Sequence, residues 1–284
     1  MTSGITEHVL EVGDVRLVID LESGGRLSRW WVGDQQLLVD HGPAPEERGM
    51  YVMAPWAGRL RENALVWQGQ RHEFAPTYGG WAMHGLGVAS PAAVISDVAE
   101  HEHAAVTVAV TPAEGWPWPL GIELTWDLTP RVLTTTISVH APDAQFPVTV
   151  GWHPWFARQL AGGAVIRWTA ESTLLAERGQ DYLPNGRLLP IAEVEGPFDD
   201  AFVVPSGRAS VAWPGALSID VVNDAPWFVI FDQLPDAVCV EPQSGPPNGI
   251  NDALVDMIPT AAPGQPHRMV TTWTMRDALP EDQD

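Results

Sequence analysis

One cysteine, Cys239, in a chain of 284 residues excludes an intrachain disulfide. It sits in the apolar run Ala237-Val238-Cys239-Val240 and reads as a small buried residue. Positive charge is also scarce. There are 15 Lys+Arg against 36 Asp+Glu, a formal net charge of −21. Nucleic acids and anionic membranes are held by clustered Lys and Arg, so neither is an expected partner. The acidity serves solubility and says little about a neutral ligand. No apolar run approaches the roughly 18 residues of a membrane helix. The stretch Met1-Thr2-Ser3-Gly4 has no basic region leading into an apolar one, so no signal peptide and a cytoplasmic protein are expected. No segment longer than about ten residues has a 3.6-residue apolar period, which argues against helices. The absence of G-x-G-x-x-G, G-x-x-x-x-G-K-[ST] and G-x-S-x-G argues against nucleotide binding and nucleophile-elbow hydrolysis.

What the chain does have is turns and strands. Gly 26 and Pro 26 are spread along it, and hydrophobic residues make up 45%. Val9 to Leu21 alternates apolar and polar positions, then Gly24-Gly25-Arg26-Leu27 turns towards Trp30-Trp31-Val32, and Gly33-Asp34 leads into Gln36-Leu37-Leu38-Val39. Ala64–Trp67 and Arg71–Phe74 flank a hairpin at Gln68-Gly69-Gln70. Further strands are predicted at 92–98, 105–111, 122–128, 132–140, 148–152, 165–169, 172–175, 201–204, 210–212, 217–222, 227–231, 238–241 and 268–275. Residues 174–177 also suit a helical turn. The steady spacing, with no repeat and no linker, predicts one large antiparallel β-sandwich over residues 1–284.

Candidate chemistry concentrates at a few points. In Gly151-Trp152-His153-Pro154-Trp155-Phe156, the Pro biases His153 towards extended backbone, with two indoles and a phenyl ring nearby. An imidazole titrates near neutrality, so His153 is either a proton donor or a structural His bonded to a carbonyl. Glu241 closes an apolar strand before Pro242, and partial burial would raise its pKa and suit it to be a general base. Arg59 can stack on Trp56 and aim its fork at a ligand oxygen, or simply pack there. His84 follows an aromatic-rich loop with Tyr78 and Trp81 and is either a ligand contact or structural. Asp199-Asp200, at a loop-to-strand junction, is either a binding pair or a solvated turn. His101-Glu102-His103 lies in a polar turn with no third ligand nearby, so no metal site is expected.

Taken in order, these points resemble the aldose 1-epimerase (galactose mutarotase) family from about Gly24 to Trp273. Gly58-Arg59 stands for the family's Asn-Arg, Met83-His84-Gly85 for its His-Gly, and Gly151–Phe156 for its Gly-x-His-Pro-Tyr-Phe. Phe198-Asp199-Asp200-Ala201-Phe202 is similar to its sugar-binding Asp loop, and Val240-Glu241-Pro242-Gln243 to its catalytic Glu strand. The resemblance implies a cofactor-free enzyme on free aldoses, with Glu241 as base and His153 as acid. Arg59, His84, Asp199, Trp155 and Gln243 would contact the monosaccharide, His84 near the ring oxygen. Asp199 is favoured over Asp200 as the inward carboxylate. Gly58 for Asn and Trp155 for Tyr each remove a polar group. A monomer or homodimer is expected. The other readings are a glycoside-cleaving enzyme using Glu241 with Asp199, a non-catalytic sugar-binding module, and a sugar-phosphate epimerase, the last disfavoured because only Arg59 and Arg61 lie close to a motif.

Overall fold

The computed structural model describes residues 6–252, 254 and 257–277. Met1-Thr2-Ser3-Gly4 lies outside them. Two large antiparallel sheets carry the fold, and the only helical pieces among the described residues are three 3₁₀ turns of three residues each. No described helix is long and apolar enough to cross a membrane.

The larger sheet has 12 strands. Its main path runs Glu7–Val12, Val15–Asp20, Arg26–Val32, Met50–Met53, Gly151–Pro154, Ala237–Gln243, Trp227–Phe231, Asp199–Val203, Leu174–Arg178 and Pro184–Pro190. The eight-stranded sheet runs Arg167–Ala170, Arg208–Trp213, Leu217–Asn223, His267–Asp277, Val132–His140, Gly121–Thr129, His103–Val110 and Ala92–Glu100. One apolar core takes side chains from both sheets, among them Val52, Trp152, Val238, Val240, Phe228 and Ile230 from the first and Leu124, Trp126, Ile137 and Trp273 from the second.

Side chains alternate across a strand with period two. Once Val238 and Val240 face the core, Cys239, Glu241 and Gln243 must face the other way. The same parity turns Trp152 inwards and His153 outwards, and Val52 inwards and Tyr51 outwards. The sequence placed two indoles and a phenyl ring about His153. Only one of those indoles is there. Trp152 packs on Trp126 at 4.6 Å, and Phe156 packs with Trp30, Trp213 and Trp273.

Several elements differ from expectation. The alternation from Val9 to Leu21 breaks at Gly13-Asp14 into two paired strands. The strand expected at 148–152 begins at Gly151, because the amides of Val148, Thr149 and Val150 donate to Pro259 O, Pro55 O and Ser244 Oγ instead of to a ladder. Leu174–Arg178 is a strand and not a helical turn, paired on both sides. Pro184–Pro190 was not anticipated from sequence. It has prolines at both ends and no burial alternation, which a strand tolerates at a sheet edge, where it lies.

Candidate active site

Antiparallel register sets the centre. Gly151 pairs with Gln243, so the next pair on the same face is His153 and Glu241. His153 Nε2 lies 3.3 Å from Glu241 Oε1, with the residues 6% and 2% exposed. Gln243 Nε2 donates to Glu241 Oε2 at 3.0 Å. On the other side His153 pairs with Tyr51, and the rings stack at 4.7 Å. Trp155 covers the second face of the imidazole at 5.3 Å and 15°. The imidazole is thus clamped between two aromatic rings, with its edge aimed at the carboxyl group.

Beneath Tyr51 lies the guanidinium of Arg26, 5.3 Å from the ring centroid and almost wholly buried. It donates to the carbonyls of Val88 at 3.1 Å, Arg48 at 3.2 Å and Pro45. Arg26 thereby ties the loop carrying Glu46 and Glu47 to the strand that carries Tyr51.

The Gly58-Arg59 and Met83-His84-Gly85 runs are held together. His84 N donates to Gly58 O at 2.9 Å, and Arg59 and Met83 form an antiparallel bridge. Gly85 is required: its φ is +79°, and a Cβ there would lie 2.0 Å from Ala54 O. Gly58, where the family has Asn, has φ +69° and would place a Cβ 2.8 Å from Pro247. The backbone here is shaped around glycine, so restoring the Asn would require Pro247 to move. His84 itself is held at φ +60°, a left-handed backbone that a side chain with a Cβ rarely adopts, and such strain collects at functional sites. Its ring meets that of His153 edge-on at 5.1 Å.

These groups line a cavity of about 320 Å³, at the small end of the roughly 300–1,000 Å³ of ligand pockets. Arg59, His84, His153, Trp155, Asp199, Glu241 and Gln243 all border it. Asp200 borders it as well as Asp199. Arg59 does not stack on Trp56, which packs with Phe74 and Trp116. Its guanidinium lies over Tyr182 at 5.9 Å and 3.8 Å from Asp199 Oδ2.

Sequence reasoning missed Arg178, Tyr51 and Tyr182. Arg178 Nη1 donates to both the carbonyl and Oδ2 of Asp199 at 2.9 Å, and its Nε lies 3.6 Å from Asp200 Oδ1. Its strand parity with Ala176, which borders the cavity, was the available signal. It was hidden because the segment also read as a helical turn. Tyr51 stands two residues before Met53 in a run that reads as plain core.

Electrostatics follow from burial. Loss of solvent pushes the Glu241 carboxyl well above its usual range, with Asp199 adding to this and Gln243 and Arg59 opposing. Burial pushes His153 well below its usual value, helped by His84. The two groups are in contact and titrate as a unit. With one proton between them the pair is neutral overall, whichever atom holds it. His84 is lowered to about 3, by burial first and Arg59 second, so it is a neutral imidazole near pH 7. Burial raises Asp199 while Arg59 and Arg178 hold it back. Of the described side chains that could ligate a metal, His153, Cys239 and Glu241 bring their ligand atoms within 4.8 Å of one another. His103 instead lies 3.2 Å from Asp127 Oδ2.

The fold is thus a two-sheet antiparallel one that carries, on the outer face of its larger sheet, a buried carboxyl–imidazole pair beside a cavity. The family model for aldose 1-epimerase matches residues 10–271, and the chain belongs to that family. The uncharacterized protein YphB of Escherichia coli (strain K12) is 23% identical over 268 residues, covering 86% of this chain and 90% of that protein. A galactose mutarotase-like protein from Clostridium acetobutylicum shares the fold with a TM-score of 0.81 at 15% identity, covering 95% of this chain and 94% of that one. Galactose 1-epimerase from Lactobacillus acidophilus does so with a TM-score of 0.76 at 14% identity, covering 96% and 95%.

Proposed function

We propose that the chain interconverts the α and β anomers of a free, uncharged aldose, with Glu241 and His153 as its acid–base pair. The observation that carries this reading is the 3.3 Å contact of Glu241 with His153 at a pocket of monosaccharide size. Anomer exchange requires the ring to open. In the reactive tautomer Glu241 is the carboxylate and His153 the imidazolium. Glu241 takes the proton of the C1 hydroxyl, and His153 gives its proton to the ring oxygen as the C1–O bond breaks. The open aldehyde turns about C1–C2 and recloses from the other face, with the roles reversed. The pair starts and ends with the same single proton, so no net charge enters or leaves the buried site. Each such group contributes about 10²–10⁴-fold in rate.

The other side chains serve binding in this reading. Neutral His84 offers a hydrogen bond near the ring oxygen without competing for the proton. Arg59 and Asp199 address hydroxyls, and Trp155 offers an indole edge beside the ring. A phosphorylated sugar is disfavoured. The two pocket guanidiniums, Arg59 and Arg178, already face Asp199, and Glu46 and Glu47 add acid at the cavity wall. Magnetisation-transfer NMR across a panel of aldoses, one hexose 6-phosphate and a methyl glycoside tests the reading. Accelerated exchange of a free aldose with the glycoside intact is expected. Glycoside cleavage, or sugar binding with no acceleration, would replace it with the hydrolase or the binding-module reading.

A further inference from the structure

We propose that the floor of the pocket is a binding site for a thiophilic divalent cation, zinc above all, and that its occupancy shuts off the acid–base pair. Three donors of different chemistry converge there: a ring nitrogen of His153, a Glu241 carboxylate oxygen and Cys239 Sγ, all within 4.8 Å of one another. A tetrahedral zinc with a thiolate at about 2.3 Å and nitrogen or oxygen at about 2.0 Å separates its ligands by less than this, so small side-chain adjustments close the site.

The scaffold presets it. Cys239 and Glu241 are two apart on one strand and so share a face, and the neighbouring strand brings His153 alongside. Gln243 holds Glu241 through Oε2, leaving Oε1, the atom nearest His153, for a metal. Such outer bonds orient metal ligands. Cys239 is a free, fully buried thiol close to the pair, and the proposed mechanism gives it no task. The cavity above supplies the fourth position, to water or a sugar hydroxyl. Three protein ligands with one open position is the arrangement of an accessible zinc site rather than a closed structural one.

Loading balances in charge. Zinc displaces the thiol proton and the proton held by the His153–Glu241 pair, and both go to solvent. The 2+ ion is then matched by one thiolate and one carboxylate, with a neutral imidazole. Affinity rises with pH for that reason. With both the base and the acid ligated, neither can move a proton.

Cobalt(II), added to the intact protein, is the probe. One cobalt per chain is expected, with a near-ultraviolet sulfur-to-cobalt charge-transfer band and the strong visible bands of a tetrahedral site. Zinc should abolish both. Cys239→Ala should lose the charge-transfer band and bind zinc at least tenfold more weakly, and Glu241→Gln should weaken zinc binding while Cys239 stays in place. Wild-type cobalt spectra without a sulfur band overturn the site whatever the variants do. So does a Cys239→Ala protein of unchanged melting temperature that keeps the wild-type zinc affinity. The inhibitory part rests on the proposed epimerase reading and is measured separately, as zinc-dependent loss of anomer exchange. A sulfur band with anomer exchange unaffected by zinc overturns inhibition alone, and the spectra decide the site even for a protein with no epimerase activity.

Discussion

The strand Gly121–Thr129 of the eight-stranded sheet alternates between half-exposed and buried positions, whereas Ala237–Gln243 of the larger sheet is buried at all seven. Both belong to antiparallel sheets over the same core, and both put apolar side chains into it. They differ in what lies on the far side. The smaller sheet turns that face to water, and in Gly121–Thr129 the outward positions include Glu123, Thr125 and Asp127. Trp273 Nε1 donates to Thr135 Oγ1 at 3.0 Å, and Thr271 Oγ1 to Asn223 Oδ1 at 2.9 Å. The larger sheet covers its far face with loops and leaves a cavity. Around it His84 Nδ1, Arg59 Nε and Gln243 Oε1 are buried with no protein partner. Buried polar groups without partners cost stability, and proteins keep them where function needs them. One face lies open to water and the other encloses a cavity.

The largest effect expected from breaking that contrast is on catalysis. Glu241→Gln keeps the shape and removes the proposed base, so aldose exchange measured by polarimetry should fall by about 10²–10⁴-fold. Its melting temperature should not fall, because the residue's burial serves the site rather than the core. A near-wild-type rate would contradict the assignment. The mirror experiment is Trp126→Ala, from the smaller sheet. Trp126 is fully buried against Trp152, and its loss should cost about 3–5 kcal/mol in denaturant unfolding while kcat/KM of the folded enzyme changes little.

An intermediate effect is expected at Arg178, which borders the cavity and holds Asp199 and Asp200. Arg178→Ala should raise KM for aldose by about tenfold, about 1.4 kcal/mol, with a smaller change in kcat. Arg178→Lys should recover this only in part, since it keeps the charge and loses the planar fork.

The smallest is in pH dependence. His84 titrates at about 3 in the fold against its ordinary 6.5. Between those values the unfolded chain binds the proton and the folded chain does not, so stability rises with pH. The contribution is complete above about pH 6.5 and is lost as pH falls towards 3. The melting temperature should drop by a few °C from pH 6.5 to 4, and His84→Gln should flatten that slope. The rate profile against pH should be bell-shaped, with limbs that belong to the coupled Glu241–His153 pair and not to either residue alone.

Much of this was legible in the residues themselves. The β-rich fold and most strand positions follow from alternation and turn residues. The five runs that resemble the family carry Arg59, His84, His153, Asp199 and Glu241, which the structure brings to one cavity. Trp152 and Arg178 show where local reading fails. Both sit in segments whose composition allows more than one conformation or facing, and strand parity cannot be fixed until it is known where a strand starts. The same ambiguity misplaced the beginning of the strand before His153 and left Pro184–Pro190 unseen.

Taken alone, then, the chain determined which segments extend, where they turn and which residue types stand at the family's positions, because those are properties of neighbours along the backbone. Which carboxylate meets which imidazole was decided by pairing Gly151 with Gln243 across 92 positions of sequence. So were the stacking of Tyr51 and Trp155 on His153, the Arg178 clamp on Asp199 and the approach of Cys239 to the pair. Register between distant strands depends on the whole core closing at once, and no local pattern encodes it.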